Sequence, residues 1–262
     1  MQDTETTIAL AAFLQRIGTA PASVLLLDYD GTLAPFHVDR SCAFPYPGVV
    51  SILEKMAQCG KTRVIIISGR PIVELRTLLS PINSLEMWGS HGLERQLTDG
   101  SYSRGQVSEK NAAALAKAEK WVITAGLLSS AEIKLGGIAI HWRGMPPAEA
   151  RSVQALTRKG WTPLAEKSGL KLLQFEAGLE LRVSHPDKGD AVRSILADLD
   201  SNVPMAYLGD DLTDEDAFHV LSGHGLSVLV KADYRETIAE AWIRPPKELI
   251  DFLERWLSNI SG

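Results

Sequence analysis

The sequence predicts an α/β protein: a parallel sheet whose strands are buried on both faces, with a smaller α+β domain inserted into it. Short, largely apolar runs at 24–27, 63–67 and 205–208 each stop abruptly at a turn of Asp, Ser or Gly, as strands inside a parallel sheet do. Helical apolar spacing lies between them, so strand, helix and strand succeed one another as a parallel sheet requires. From about 100 to 183 the order becomes helix, hairpin, helix, hairpin, the pattern of a separate antiparallel sheet with helices on one face.

Taken in order, Ile8, Leu10, Phe13, Leu14 and Ile17 mark an amphipathic helix ending at Gly18. The first strand then runs into Asp28-Tyr29-Asp30-Gly31-Thr32-Leu33, two carboxylates two residues apart before a turn. Residues 34–47, with three prolines, are an excursion over the polar end of the sheet. A helix over 48–60 (Val49, Ile52, Leu53, Met56) leads to the second strand and to Ser68-Gly69-Arg70-Pro71. A further helix from Ile72 and a strand at 85–88 precede Gly89-Ser90-His91-Gly92-Leu93-Glu94. The inserted region reads as a helix over 108–125, strands 132–135 and 138–142 turning at Gly136-Gly137, a helix over 147–167, and strands 171–176 and 179–183 turning at Ala177-Gly178. The parallel pattern resumes with a helix opened by His185-Pro186-Asp187-Lys188-Gly189-Asp190 and running to about 199, and with the 205–208 strand, which ends in Gly209-Asp210-Asp211-Leu212-Thr213-Asp214-Glu215-Asp216. A helix capped by Thr213 or Asp214, a strand at 226–230 and a closing helix over 247–257 complete the chain. The expected domains are 1–96 with 185–262, and 97–184, with hinges at 93–100 and 184–186.

The 262 residues are 45% apolar and 23% charged, with a net charge of −5, which argues against nucleic acid or an anionic membrane as partner. No apolar stretch approaches the roughly 20 residues of a membrane span, and the start lacks a secretory signal. Cys42 and Cys59 form neither a metal pattern nor a disulfide framework. These features predict a cytoplasmic protein, with a monomer as the default.

A parallel sheet would gather Asp28, Asp30, Asp210, Asp211 and Asp214 with Lys188, Ser68 and Thr32 at one edge. So much negative charge cannot receive a phosphate dianion unaided, and an all-oxygen donor set calls for a hard cation such as Mg²⁺. One carboxylate could then attack phosphorus while the other protonates the leaving alkoxide and later deprotonates water.

The string of aliphatics followed by Asp-x-Asp-Gly-Thr-Leu resembles the first motif of the haloacid dehalogenase superfamily, and Ser68-Gly69-Arg70 its second. Together with Gly89-Ser90-His91-Gly92, His141-Trp142-Arg143, Glu180-Leu181-Arg182-Val183, Lys188-Gly189 and Gly209-Asp210-Asp211-Leu212-Thr213-Asp214-Glu215, the order and spacing are similar to those of trehalose-6-phosphate phosphatases. The resemblance implies a Rossmann-like core with a type C2 cap inserted between the second and third motifs. It implies Asp28 as nucleophile, Asp30 as acid and base, and Lys188 as the partner of the phosphate and the nucleophile. Thr32, Ser68, Gly69 and Arg70 would bind phosphate. Asp28, the main-chain carbonyl of Asp30 and Asp210 would hold Mg²⁺, with Asp211 or Asp214 close behind, and His91, Arg143, Glu180 and Arg182 would meet the sugar. Trp142 and Val183 depart from the residues usual in that family. Rival readings are the same chemistry on glucosylglycerol phosphate or glucosylglycerate phosphate, and a phospho-accepting signalling module.

Overall fold

The computed structural model describes residues 2–80, 82, 84–175 and 177–261. The chain runs α1 (Gln2–Thr19), β1 (Ser23–Leu27), α2 (Val49–Cys59), β2 (Thr62–Ile67), α3 (Ile72–Leu78), β3 (Glu86–Gly89), β4 (Glu94–Gln96) and β5 (Tyr102–Arg104). It continues α4 (Glu109–Thr124), β6 (Ala131–Lys134), β7 (Gly137–His141), α5 (Pro147–Ser168), β8 (Lys171–Phe175) and β9 (Gly178–Arg182). It closes with α6 (Lys188–Ala197), β10 (Met205–Gly209), α7 (Glu215–Leu221), β11 (Leu226–Val230), β12 (Ala241–Ile243) and α8 (Lys247–Ile260).

Eight strands form one sheet in the order β12-β11-β10-β1-β2-β3-β4-β5. β12 through β3 pair in parallel, and β4 joins β3 antiparallel. The chain leaves β1 outward through β2 on one side and returns through β10 on the other. The strand order therefore reverses at β1, where the carboxyl ends of an open parallel sheet leave a crevice for a ligand. Alternation along β1 serves both faces: Leu25 and Leu27 pack with α1, α2, α3 and α8, while Val24 and Leu26 pack with α6 and α7. At the opposite end of the strands, Trp256 is wedged against Phe13 and Phe252, and its indole N–H donates to Thr62 Oγ1 at 3.0 Å.

Two compact units result: residues up to 103 with those from 187 onward, and Arg104–Pro186. In the second, β6-β7-β9-β8 form an antiparallel sheet. Its apolar side, including Ile138, Ile140, Leu179 and Leu181, is buried, and α4 and α5 pack against each other with Trp121 edge-on to Trp161. The predicted elements are present within a residue or two at most ends, the last residue of the 171–176 strand, Glu176, lying outside the described residues. The stretch read as a hinge at 93–100 instead contains β4, whose Glu94 and Gln96 are both buried and so hid the alternation of a strand. The three-residue β12 was equally illegible. Asp214 precedes α7 without capping it, because its carboxylate is used elsewhere. Among the described residues no helix is long and apolar enough to cross a membrane.

Removing the Trp256 side chain leaves a cavity between α1 and α8 and strands Thr62 without its donor. Trp256→Ala is expected to cost about 3–5 kcal/mol in denaturant unfolding; a loss under about 1 kcal/mol would mean this end of the core is not packed as described.

Candidate active site

Three neighbouring strands end in polar turns. Asp28 follows β1, where its N–H still donates to Leu208 of β10 at 2.9 Å. The turn after it brings Gly31, at φ +83°, so close to Asp210 that a Cβ there would lie 2.2 Å from a carboxylate oxygen. Lys188 opens α6, whose start is fixed by the Asp187–Asp190 capping box. Its ammonium donates to Asp28 Oδ1 and Asp214 Oδ1, both at 2.7 Å. Asp214 also accepts the Tyr207 hydroxyl at 2.6 Å and the N–H groups of Asp210 and Asp211 at 3.1 and 2.9 Å.

Asp30 faces a different partner. Arg70 grips its carboxylate with two bonds of 2.7 Å, donates its remaining arm to Glu74 and the Arg40 carbonyl, and stacks over Tyr29. The arginine is 1% exposed and Asp30 26%, so the fork is rigid and the carboxylate is the member that reaches solvent. Ser68 accepts the Arg70 N–H on its hydroxyl at 3.2 Å, and Gly69 lies under the His91 ring, where a Cβ would come within 2.7 Å. Ser90 and His91 both adopt left-handed backbone, which seats that ring beneath the Ser68 turn.

Burial pushes Asp28 up to about 7, Lys188 pulling it down and Asp214 pushing it up. Asp210 is driven well above the usual carboxylate range by burial and by facing Asp28 and Asp214. Burial would weaken the Lys188 ammonium, but Asp214 and Asp28 more than offset it and hold the proton in place. Oxygens of Asp28, Asp210 and Asp214 lie within 4.8 Å of one another. Both oxygens of Asp210 are buried and accept no hydrogen bond, and the nearby Lys231 ammonium stands off at 3.8 Å. A buried carboxylate so arranged, in an all-oxygen set, fits a hard divalent cation.

Several expectations meet a different arrangement, among them His91, expected at the sugar, whose ring packs on Gly69 of the Ser68 turn. Arg70, expected on phosphate, is committed to Asp30. Asp214, expected among the metal ligands, has each oxygen taken by two donors, so it braces Lys188 and the 210–211 backbone instead. Asp211 uses its carboxylate to cap Leu212. The Thr32 hydroxyl is buried with no hydrogen-bond partner. Tyr207 and Lys231 were missed: the first is hidden in an apolar run, the second in an irregular loop.

In the 104–186 unit, Glu180 accepts Lys134 at 2.7 Å, and His141 bonds Glu132 at 2.9 Å. Strand pairing places Glu180 opposite Ala139 and Arg182 opposite Gly137, so Glu132, Lys134, His141, Glu180 and Arg182 share the polar face. Arg143 follows β7. Lys134 and Glu132 were not foreseen, since alternation marks them only as outward-facing.

The fold is that of haloacid dehalogenase-like hydrolases: a Bacillus subtilis structure of that description aligns over 88% of this chain and 99% of its own at TM-score 0.61 and 16% identity. The C-terminal domain of Candida albicans trehalose-6-phosphate phosphatase aligns over 95% of this chain and 96% of its own at TM-score 0.83 and 21% identity. The trehalose-phosphatase family profile matches residues 26–241, and the chain belongs to that family. Trehalose-phosphate phosphatase of Mycobacterium marinum is 28% identical over 93% of this chain and 63% of its own length. Trehalose-phosphate phosphatase B of Arabidopsis thaliana is 31% identical over 88% and 65% respectively. The chain thus spans somewhat less than two thirds of these relatives.

Because Asp28 and Asp210 titrate higher folded than unfolded, the folded chain binds more protons, and their contribution to stability is lost as pH rises from the ordinary carboxylate range through about 7. With chelator present, the melting temperature is expected to fall between about pH 5 and 8 and a divalent cation to restore most at the upper end. A chelated chain equally stable at both would contradict this.

Proposed function

We propose that this chain is a Mg²⁺-dependent phosphatase that releases trehalose and inorganic phosphate from trehalose 6-phosphate. The observation that carries the reading is the division between two carboxylates at one strand end: Asp28 buried on an ammonium, and Asp30, which reaches solvent, on a buried guanidinium. The names of the relatives supply the substrate.

In this reading an Asp28 oxygen attacks phosphorus, and the bond to the sugar oxygen breaks as that oxygen takes a proton from Asp30. Asp30 then removes a proton from water, whose oxygen attacks the aspartyl-phosphate and frees Asp28 and phosphate. Lys188 and the Ser68 turn oppose the charge on the non-bridging phosphoryl oxygens. Arg70 aims Asp30. Asp28 and Asp210 would hold Mg²⁺, which neutralises phosphoryl charge when bound. Arg143, Glu180 and Arg182 of the 104–186 unit, with Lys134, choose the sugar, and His91 supports the Ser68 turn.

Phosphate release is to be measured from trehalose 6-phosphate, glucose 6-phosphate, glucosylglycerol phosphate and glucosylglycerate phosphate, with Mg²⁺ and with chelator. Preference for trehalose 6-phosphate is expected, with Asp28→Asn losing about 10⁴-fold or more and Asp30→Asn about 10²–10⁴-fold. Preference for another glycoside would transfer the sugar assignment, and full activity in Asp28→Asn would overturn the mechanism. Arg70→Ala is expected to lower kcat about 10²-fold with little change in inhibition by inorganic phosphate. A selective loss of phosphate affinity would instead return Arg70 to the phosphate.

A further inference from the structure

Beyond the residues that face the reacting groups, one arginine grips the acidic turn from behind. Arg235 lies in the irregular stretch after β11, where no periodicity marks it. Its Nε donates to the Asp210 carbonyl at 3.2 Å and one Nη to the Asp211 carbonyl at 2.8 Å. The other Nη binds the Glu215 carboxylate and the Glu236 carbonyl. Glu215 is in turn held by the Thr237 hydroxyl at 2.7 Å and the Ile238 N–H at 3.1 Å.

We propose that Arg235 is a positioning residue for the cation site, fixing the Asp210–Asp211 backbone so that the Asp210 carboxylate is presented to a divalent ion. The 210–211 segment is gripped on two sides: its N–H groups point to Asp214 and its carbonyls to Arg235. With both directions fixed, the Asp210 side chain has little freedom except to face Asp28. Gly31 gives it room to do so, since a Cβ there would overlap the carboxylate. Arg235 itself meets Asp210 and Asp211 through their backbone oxygens. The positive charge it brings is balanced by Glu215.

That balance makes the sign of the effect informative. A guanidinium acting only through its charge would repel a cation, and its removal would tighten binding. A guanidinium acting by position would, on removal, loosen the turn and weaken binding, by about 10- to 100-fold if it behaves as partners behind metal ligands do. Lysine keeps the charge but offers a single ammonium centre in place of a planar fork and cannot span these acceptors with the same geometry, so Arg235→Lys should fall between wild type and Arg235→Ala.

The inference rests on the proposed cation-dependent function, and calorimetric titration of the full chain with MgCl₂ separates the two. Wild type, Arg235→Ala, Arg235→Lys and Thr237→Val are compared, the last removing a Glu215 contact without touching the fork. The expected result is binding weakened in the order Ala, then Lys, with Thr237→Val near wild type. In turnover of trehalose 6-phosphate, the Mg²⁺ needed for half-maximal rate should rise in the same order while KM for the sugar phosphate stays constant. Tighter Mg²⁺ binding in Arg235→Ala, or a lowered melting temperature with unchanged Mg²⁺ affinity in both Arg235 variants, would overturn the positioning role alone. Absence of Mg²⁺ binding by the wild type would overturn the cation site, and the inference with it.

Discussion

The carboxyl end of the sheet depends on one buried ammonium, that of Lys188, set between Asp28 and Asp214. Without it, two carboxylates would face each other in a dry site, and losing one partner of such a cluster costs about 3–5 kcal/mol. With it, Asp28 is held in place yet only partly relieved of the cost of burial, so its carboxylate keeps an appetite for positive charge. Asp210, beside it and without a donor, has the same appetite in greater measure. The local shortage of positive charge is what the site has to offer a cation and a phosphoryl group.

The fold supplies this shortage cheaply. Buried strands β1, β10 and β2 need aliphatic residues along their length and release the chain only at their ends. Polar groups that would be ruinous one turn earlier can be collected there, and the reversal of strand order at β1 keeps the neighbouring connections apart. Glycine does the rest: Gly31 admits the Asp210 carboxylate, Gly209 admits Asp214, and Gly189 lets α6 come against the backbone of Asp216. Each of these contacts is too close for a side chain.

Much of this was legible in the sequence because strand ends are where apolar runs break. Asp28, Ser68 and Asp210 stand at such breaks, and the glycines near them announce tight turns, while Lys188 opens the helix α6. What the sequence could not say is who pairs with whom. Asp210, Asp211 and Asp214 read alike in a row of acids. The backbone turn alone decides that Asp214 spends its oxygens on Lys188, Tyr207 and two amides, Asp211 its own on a cap, while Asp210 keeps both. Arg70 looked like an anion binder because its partner, Asp30, is forty residues away in sequence. Tyr207 passed for a core aromatic inside an apolar run, and Arg235 lay where no period operates. Short strands such as β4 and β12 carry too few residues to show alternation at all.

The most direct test of the central claim is to trap the acyl phosphate. Enzyme mixed with trehalose 6-phosphate and Mg²⁺, quenched in acid within milliseconds and reduced with borohydride, converts a phosphorylated aspartate to homoserine, which peptide mass spectrometry locates. The account predicts the mark at position 28 and nowhere else. A mark at position 30, or rapid turnover with no mark under conditions that preserve such phosphates, would contradict it.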